Sequence, residues 1–354
     1  MIESLHINKY YSDSYMSSNI GTFFEHDDSW TIINSNESKI IYHNNILLAK
    51  IIRKVIPDNI CQLGYDNFID AAKIISTNRG SAAGQQSRII KNKYDLGIPV
   101  NSSIIVYMNS TNHKRPCRLT EFTKNNINKF ENAHEFVATI NKLFETHIPD
   151  KYAKQYNKAL ETHFHIKNTA FSTITVNYNF RTALHKDSGD YSDGFGNIVV
   201  IKKNINGGYL LLPQYKLAID LDTGDYCAFN VHEWHCNSNI IQPEINLNSY
   251  RLSFVFYLRD KLEKCNKINN NLQQITGNLN GKQWNTELIF NEIFKECDKL
   301  PQKEYIYSNN KWWQMKSNRY LLEYKNKRYR LFDLEKNVVI HNLMNAWEYI
   351  STNA

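Results

Sequence analysis

At 354 residues the chain is long enough for one large domain or two modest ones. With 42% hydrophobic and 22% charged residues it can build a packed core, which excludes wholesale disorder, and 13 Gly with 7 Pro exclude collagen-like or Pro/Gly-rich low-complexity chains. The formal net charge of +7 is compatible with a polyanionic partner and does not by itself specify one.

The first fifteen residues, MIESLHINKYYSDSY, are polar and carry no apolar core of the kind a secretory signal needs. No apolar run approaches the ~20 residues that span a bilayer. An intracellular protein is expected, nuclear in a eukaryote and cytoplasmic or in the host cell for a phage or virus. Cys61, Cys117, Cys227, Cys236, Cys265 and Cys297 are scattered without a CxxC pair, which reads as isolated reduced thiols.

In chain order, Trp30–Ile33, Lys39–Tyr42 and Ile46–Ile52 are β-prone runs separated by Asn-rich turns. Asp66–Ile74 reads as a short helix leading into the small-residue loop Thr77–Gly84, and Ser103–Tyr107 as another strand. Over 131–147, Phe136, Ile140, Leu143 and Phe144 recur at three- and four-residue steps, so one helix is expected there and a second over 151–163. From Phe171 to Leu258 the pattern changes to short strands at 171–178, 197–202, 209–213, 216–221, 225–230 and 251–258, with Gly207-Gly208 and Asp222–Asp225 as tight turns. Such spacing suggests a sandwich or barrel, a class that includes the jelly roll. Beyond Asp260, loops are expected around 269–271 and 277–281, a helix at about 285–298, hairpins in the basic, aromatic stretch 311–333 and a closing helix at 340–350.

The chemistry begins at His185-Lys186-Asp187. Strand side chains alternate with period two, so H-x-D on a strand or its exit sets two metal-binding groups on one side. A histidine at the end of another strand completes a two-His, one-carboxylate face, the arrangement that holds non-haem Fe(II) with positions left open. His235 is the choice, since it follows the apolar run 225–230 by a turn, and His232 is placed beside it in the loop. Arg251 opens the strand 251–258 with Ser253 two residues on and on the same face. Its planar fork suits a carboxylate in a way that lysine does not. Taken singly, His185 reads equally as a satisfied surface or core histidine, and Arg251 as a strand-end salt bridge. Together the four have the residue types, order and strand context of one chemistry.

The stretches FSTITVNYNFRTALHKDSGDYSDGFGNIVVI, GGYLLLP, LAIDLDTGDYCAFNVHEWHCNSNI and RLSFVFYLRD resemble the TET/JBP family of Fe(II)- and 2-oxoglutarate-dependent oxygenases. The likeness is strongest to the thymine-hydroxylase domain of base-J-binding proteins, through Phe180–Asp187 and Gly189-Asp190, and with a weaker match at Thr77–Gly84 it runs from about residue 40 to 262. It implies an α+β fold with a double-stranded β-helix (jelly-roll, cupin-like) core at about 171–260, flanking helices and a small C-terminal α/β extension. The expected division is 1–262 as the dioxygenase domain and 263–354 as the extension. It further implies Fe(II) at His185, Asp187 and His235, 2-oxoglutarate at Arg251 and Ser253, O2 as the oxidant, and DNA with a flipped or single-stranded pyrimidine as partner. Asp190, with Asn78 and Arg79, is the expected substrate contact. Two departures stand out: no segment matches the separate base-J-binding domain, and Trp234-His235-Cys236 stands where the family usually has His-Gly.

Arg79, Arg88, Lys91 and Lys93 flank the small-residue loop, and the tail interleaves Lys311, Lys316, Arg319, Lys325, Lys327, Arg328 and Arg330 with Trp312, Trp313, Tyr320, Tyr324 and Tyr329. Nucleic-acid grooves combine charge and rings in this way, and so does a half-buried hairpin. The expected activity is hydroxylation of the 5-methyl group of thymine or 5-methylcytosine in DNA. The alternatives are a same-fold oxygenase acting on RNA, a protein or a small molecule, and a non-catalytic nucleic-acid-binding module.

Overall fold

The computed structural model describes residues 2–85, 97–109, 118–162, 164–243 and 248–265, and beyond these 276–279, 282–285, 304–308, 312–316, 319–325, 328–342, 345–346, 348–349 and 352. Two compact units divide the chain. One comprises Met1–Ile104, Asn132–Gln155 and Ile174–Tyr257, the other Ile105–Glu131, Tyr156–Thr173 and Leu258–Ala354.

The chain opens with β1 (Glu3–His6), α1 (Asp13–Ser18), β2 (Thr31–Ile33), β3 (Lys39–His43), β4 (Ile46–Ile52), α2 (Asp58–Ala72) and β5 (Ile75–Ser76). A 3-10 turn at Gly80–Ala83 precedes β6 (Val100–Met108), β7 (Arg118–Leu119), α3 (Glu121–Asn125), α4 (Ile127–Asn132), α5 (His134–His147) and α6 (Pro149–Leu160). Then come β8 (Thr173–Tyr178), β9 (Gly196–Lys203), β10 (Asn206–Gly207), β11 (Leu210–Leu212), β12 (Leu217–Ile219), β13 (Tyr226–Phe229), β14 (Cys236–Asn237), β15 (Ile240–Ile241) and β16 (Tyr250–Tyr257).

Hydrogen bonds order a large mixed sheet as β1-β3-β4-β13-β9-β16-β8-β6-β5, with β7 pairing to β6, and a smaller sheet as β14-β11-β12-β2. The two sheets face each other in the first unit. Ile41, Ala49, Ile51, Ile198, Val200 and Phe229 of the large sheet share one core with Leu210, Leu212, Leu217 and Ile219 of the small one. Alternation along β16 serves both sides: Phe254 and Phe256 point away from that core and meet Phe136 of α5 at ring separations of 5.2 and 5.6 Å. Each ring so buried contributes roughly 1.5–3 kcal/mol, which fixes β16 from behind and leaves Arg251 and Ser253 on the inner face.

Helix α2 begins eight residues before the expected Asp66, directly after Pro57, and buries Ile60, Cys61, Gly64, Phe68 and Ala71 at helical steps. Gly64, a residue that weakens an isolated helix, is kept for packing: a Cβ there would stand 2.8 Å from the Phe136 ring. In α5, Val137 is buried beside Phe136, Ile140 and Phe144, where the stripe read from sequence has Leu143. Cys61, Cys227 and Cys236 are buried free thiols, and burial pushes the last two up to about 12. Among the described residues no helix is long and apolar enough to cross a membrane.

The second unit holds the C-terminal strands β17 (Thr276–Leu279), β18 (Lys282–Asn285), β19 (Glu304–Ser308), β20 (Trp312–Lys316), β21 (Tyr320–Lys325), β22 (Arg328–Asp333) and β23 (Val338–His341). β19 to β23 form an antiparallel meander, the hairpin arrangement expected of this stretch. β17 and β18 pair as a hairpin across part of the stretch read as loop, and β23 takes the start of the expected closing helix, because Val338 to His341 pair with Asp333 to Arg330. The helix expected at 285–298 lies outside the described residues, apart from Asn285 at the end of β18.

Candidate metal centre

Two chain segments lie antiparallel and bring the H-x-D motif to its partner. Asn237 donates its N–H to the Thr182 carbonyl at 3.0 Å, His185 and His235 exchange N–H···O bonds of 3.0 Å each, and the Asp187 N–H reaches the Val231 carbonyl at 3.1 Å. The mutual bonds set the two histidines directly opposite one another, with ring centroids 4.3 Å apart. The period-two offset then turns Asp187 to the same side: its Oδ1 lies 3.6 Å from His185 Nε2 and its Oδ2 3.9 Å from His235 Nε2. The donor atoms of His185, Asp187 and His235 all lie within 4.8 Å of one another.

The rings are pre-set as ligands. His185 Nδ1 faces the Ala183 carbonyl at 2.8 Å and His235 Nδ1 faces the Glu233 carbonyl at 2.9 Å. A carbonyl only accepts, so Nδ1 carries the proton and each Nε2 offers a lone pair to the gap beside Asp187. Burial, then the neighbouring His185 ring, lowers the His235 pKa to about 4, so this ligand is neutral at pH 7. The Phe229 ring packs nearly perpendicular to the His235 ring, with their centroids 5.0 Å apart. Two imidazoles and a carboxylate on one face fit a divalent first-row metal with open positions.

The ligand strand is held on both edges. Gly21 donates to the Leu184 carbonyl at 2.9 Å, Leu184 donates back to the Thr22 carbonyl at 2.8 Å, and Ala183 donates to the Ala82 carbonyl at 2.8 Å. Trp234, the departure noted in the sequence, packs with Met16 and Leu184 under Lys186, whose Nζ stands 4.7 Å from the Trp234 ring. His232 is not among the three clustered donors. Its ring nitrogens face the Asp187 and Tyr191 carbonyls at 3.0 and 3.2 Å, which clips the loop carrying Asp187 and Asp190. Gln155 holds the far end of that loop, accepting the Phe195 N–H at 3.0 Å.

Arg251 lies in a seat of a different kind. It is 3% exposed, and among the described residues its guanidinium makes no hydrogen bond or ion pair. Burial pulls its pKa down to about 10, with Asp220 acting against the shift. A buried guanidinium with no hydrogen-bonded partner is costly, and a carboxylate in reach of its fork would relieve that cost. Two features shape the seat. Asn179, at φ 46°, accepts the Arg251 N–H through Oδ1 at 2.7 Å and donates its own N–H to the Arg251 carbonyl at 2.9 Å. Gly208, at φ 68°, leaves the space the side chain fills: a Cβ there would lie 2.8 Å from Arg251 Nε. Ser253, on the same face, accepts from Asn177 Nδ2 at 3.2 Å, and Asn177 in turn accepts from Ser102.

The expected substrate contacts are dispersed. Asp190 is half-buried on the clipped loop and outside the donor cluster. Asn78 is exposed and accepts from Ser76 Oγ at 2.6 Å, and Arg79 begins the 3-10 turn that supports Ala183. Arg88, Lys91, Lys93, Lys311 and Lys327 lie outside the described residues. In the tail, Arg330 pairs with Glu323 and Arg319 with Asp333. From sequence alone Gly207-Gly208 reads as a tight turn, and nothing local marks Asn179. Two consecutive glycines ahead of an apolar run are the one local signal for a close approach.

Residues 103–260 match the Tet_JBP family, the oxygenase domain of the 2OGFeDO superfamily. The chain is 35% identical over 170 residues to the bifunctional helicase and thymine dioxygenase JBP2 of Leishmania braziliensis, which covers 47% of this chain and 15% of that protein. It is 32% identical over 168 residues to the thymine dioxygenase JBP1 of Trypanosoma brucei brucei, covering 47% and 20%. It therefore spans at most about a fifth of these relatives' own length. Among solved structures, NgTET1 in complex with 5mC DNA aligns with a TM-score of 0.46 at 12% identity, covering 73% of this chain and 94% of that one. The viral collagen prolyl hydroxylase of Paramecium bursaria Chlorella virus-1 aligns at 0.29 and 14%, covering 59% and 94%.

Proposed function

We propose that the chain, whose residues 103–260 match the Tet_JBP oxygenase domain, is an Fe(II)- and 2-oxoglutarate-dependent dioxygenase that hydroxylates the 5-methyl group of a pyrimidine in DNA, thymine first. The observation that carries this reading is the His185–Asp187–His235 donor face together with a buried Arg251 guanidinium that makes no hydrogen bond or ion pair among the described residues. Strand order supports a jelly-roll barrel: β13-β9-β16-β8 in one sheet and β14-β11-β12 in the other. The division into a catalytic 1–262 and an extension 263–354 is kept as part of the proposal.

His185, Asp187 and His235 would hold the metal. Bound there, Fe(II) supplies the redox chemistry that couples oxidation of 2-oxoglutarate by O2 to attack on a methyl C–H bond, giving succinate, CO2 and the hydroxymethyl base. The chain's part is geometric. Arg251 grips the distal carboxylate of the co-substrate with its two-pronged guanidinium, Ser253 borders that carboxylate, and Gly208 leaves the Arg251 side chain its room. A methyl group inside a duplex is out of reach of a barrel mouth, so the base is flipped or the strand single. Asp190 then accepts from a base N–H, while Asn78 and Arg79 contact the strand. The relatives' names, thymine dioxygenase, favour thymine over 5-methylcytosine.

Incubating the protein with Fe(II), 2-oxoglutarate and DNA containing both bases, then digesting and quantifying nucleosides by mass spectrometry, tests this. Hydroxymethyluracil is the expected product. Hydroxymethylcytosine alone would reassign the base, and succinate without a modified nucleoside would move the substrate to RNA, protein or a small molecule.

A further inference from the structure

On the surface of the first unit is a cavity of about 540 Å3, lined by Phe23, Ile75, Ile98, Pro99, Asn101 and Tyr178 among others. Its lining includes none of the three metal-face donors and not Arg251, although Asn179, which shapes the Arg251 seat, stands in its wall. Its most telling wall is Phe23, which is 49% exposed and yet clamped. The Arg181 guanidinium lies 4.7 Å from the centre of its ring, and the ring lies so near the Gly84 backbone that a Cβ there would meet it at 3.1 Å. Arg181 is itself fixed, by the Phe24 carbonyl at 3.1 Å and by Glu25 at 2.6 Å. An aromatic ring held rigid and half bare is a preorganised stacking shelf.

Ile75, Ile98 and Pro99 offer apolar surface on the same cavity, and Asn101 supplies a side-chain amide that makes no hydrogen bond among the described residues. Such an amide presents a donor and an acceptor together, the pattern that matches the edge of a nucleobase. A cation is at hand as well: Lys73 Nζ stands 5.4 Å from the centre of the Tyr178 ring. Shelf, apolar surface, amide and ammonium together fit a planar nitrogen heterocycle joined to a phosphate.

We propose that this cavity seats a flanking nucleobase of the substrate strand, stacked on Phe23 and read at its edge by Asn101. The proposal rests on the DNA reading above and extends it to a second base. Arg181 stands four residues before His185 on the ligand strand. Four extended residues span at most about 14 Å, which is about four stacked nucleotides at ~3.4 Å each along one strand. The cavity wall at Arg181 is therefore within a few nucleotides' length of the metal face along the chain, and offsets of one to four are the ones to probe.

The test uses the full chain and single-stranded oligonucleotides with one target thymine and one 5-iodouracil at offsets of one to four on either side. Irradiation and peptide mass spectrometry locate the cross-link, and the same oligonucleotides are assayed for hydroxymethyluracil. Cross-linking to Phe23 or Tyr178 at one or more offsets is expected. Phe23→Ala should remove that cross-link and weaken binding about tenfold, as loss of one base–aromatic stack does, while Phe23→Trp keeps both. Asn101→Ala should leave the cross-link and change which base is preferred at that offset. Hydroxylation with no cross-link to Phe23 or Tyr178, and with Phe23→Ala binding as the parent protein does, overturns the second base seat and leaves the reaction standing. A Phe23 cross-link without hydroxylation supports the base seat and overturns the reaction.

Discussion

The two halves of the candidate site are built by opposite means. At the metal face the backbone does the positioning: paired N–H···O bonds set His185 against His235, and the alternation of an extended chain delivers Asp187 to the same side. At the Arg251 seat the side chain is placed by what is missing, since Gly208 has no Cβ and the guanidinium has no hydrogen-bonded partner among the described residues. Side chains that carry chemistry announce themselves in a sequence. Spaces and unpaired charges become visible only once the chain is folded.

The largest expected effect is at the metal face. Asp187→Ala leaves two imidazoles and no carboxylate, so bound metal after dialysis and turnover should both fall below detection, with the melting temperature within a few degrees of the parent. Retained metal and activity would remove Asp187 from the site. At the other half, Arg251→Met should raise the 2-oxoglutarate KM about 100-fold, the ~3 kcal/mol of a charge-assisted pair. The same substitution should leave the apoprotein as stable or more stable, because a buried unpaired charge is gone. A lower melting temperature would mean that Arg251 has a structural partner.

Gly208→Ala sharpens the contrast. Its added methyl meets Arg251, so the 2-oxoglutarate KM should rise about tenfold in the parent background. In the Arg251→Met background the second change should add little, and equal effects in both backgrounds would show that the glycine acts through backbone strain alone. A smaller and graded effect is set by pH. His235 has a folded pKa of about 4 against an unfolded value near 6.5. Between these values the unfolded chain takes up a proton that the folded one refuses, so apoprotein stability falls as pH drops from about 6.5 towards 4, by roughly 2–4 kcal/mol in all. Thermal melts of the apoprotein across pH 4–7 should show this slope, and His235→Gln should flatten it.

Much of the fold is legible in the sequence because strands in the centre of the chain are short, apolar and punctuated. The segment 225–230 ends where β13 ends within a residue, and 251–258 where β16 does. The first two turns of α2 escape notice because Gly64 weakens the local signal while Phe136, some seventy residues away, supplies the reason for it. Asn179 likewise has no local mark, since its role is defined by a partner on another strand, Arg251. His185, Asp187, His235 and Arg251 could be singled out because their residue types narrow the chemistry. The clasp of His232 and Gln155 on the loop after Asp187 depends on carbonyls and an N–H, which every sequence has.

The central claim is that metal face and anion seat serve one ligand. Anaerobic titration with Fe(II) and then 2-oxoglutarate, followed by visible absorption, tests it most directly. A charge-transfer band that needs both additions should form, vanish in Asp187→Ala and require about 100-fold more 2-oxoglutarate in Arg251→Met. A band that forms equally in all three proteins, or 2-oxoglutarate binding indifferent to metal and to Arg251, would contradict the account.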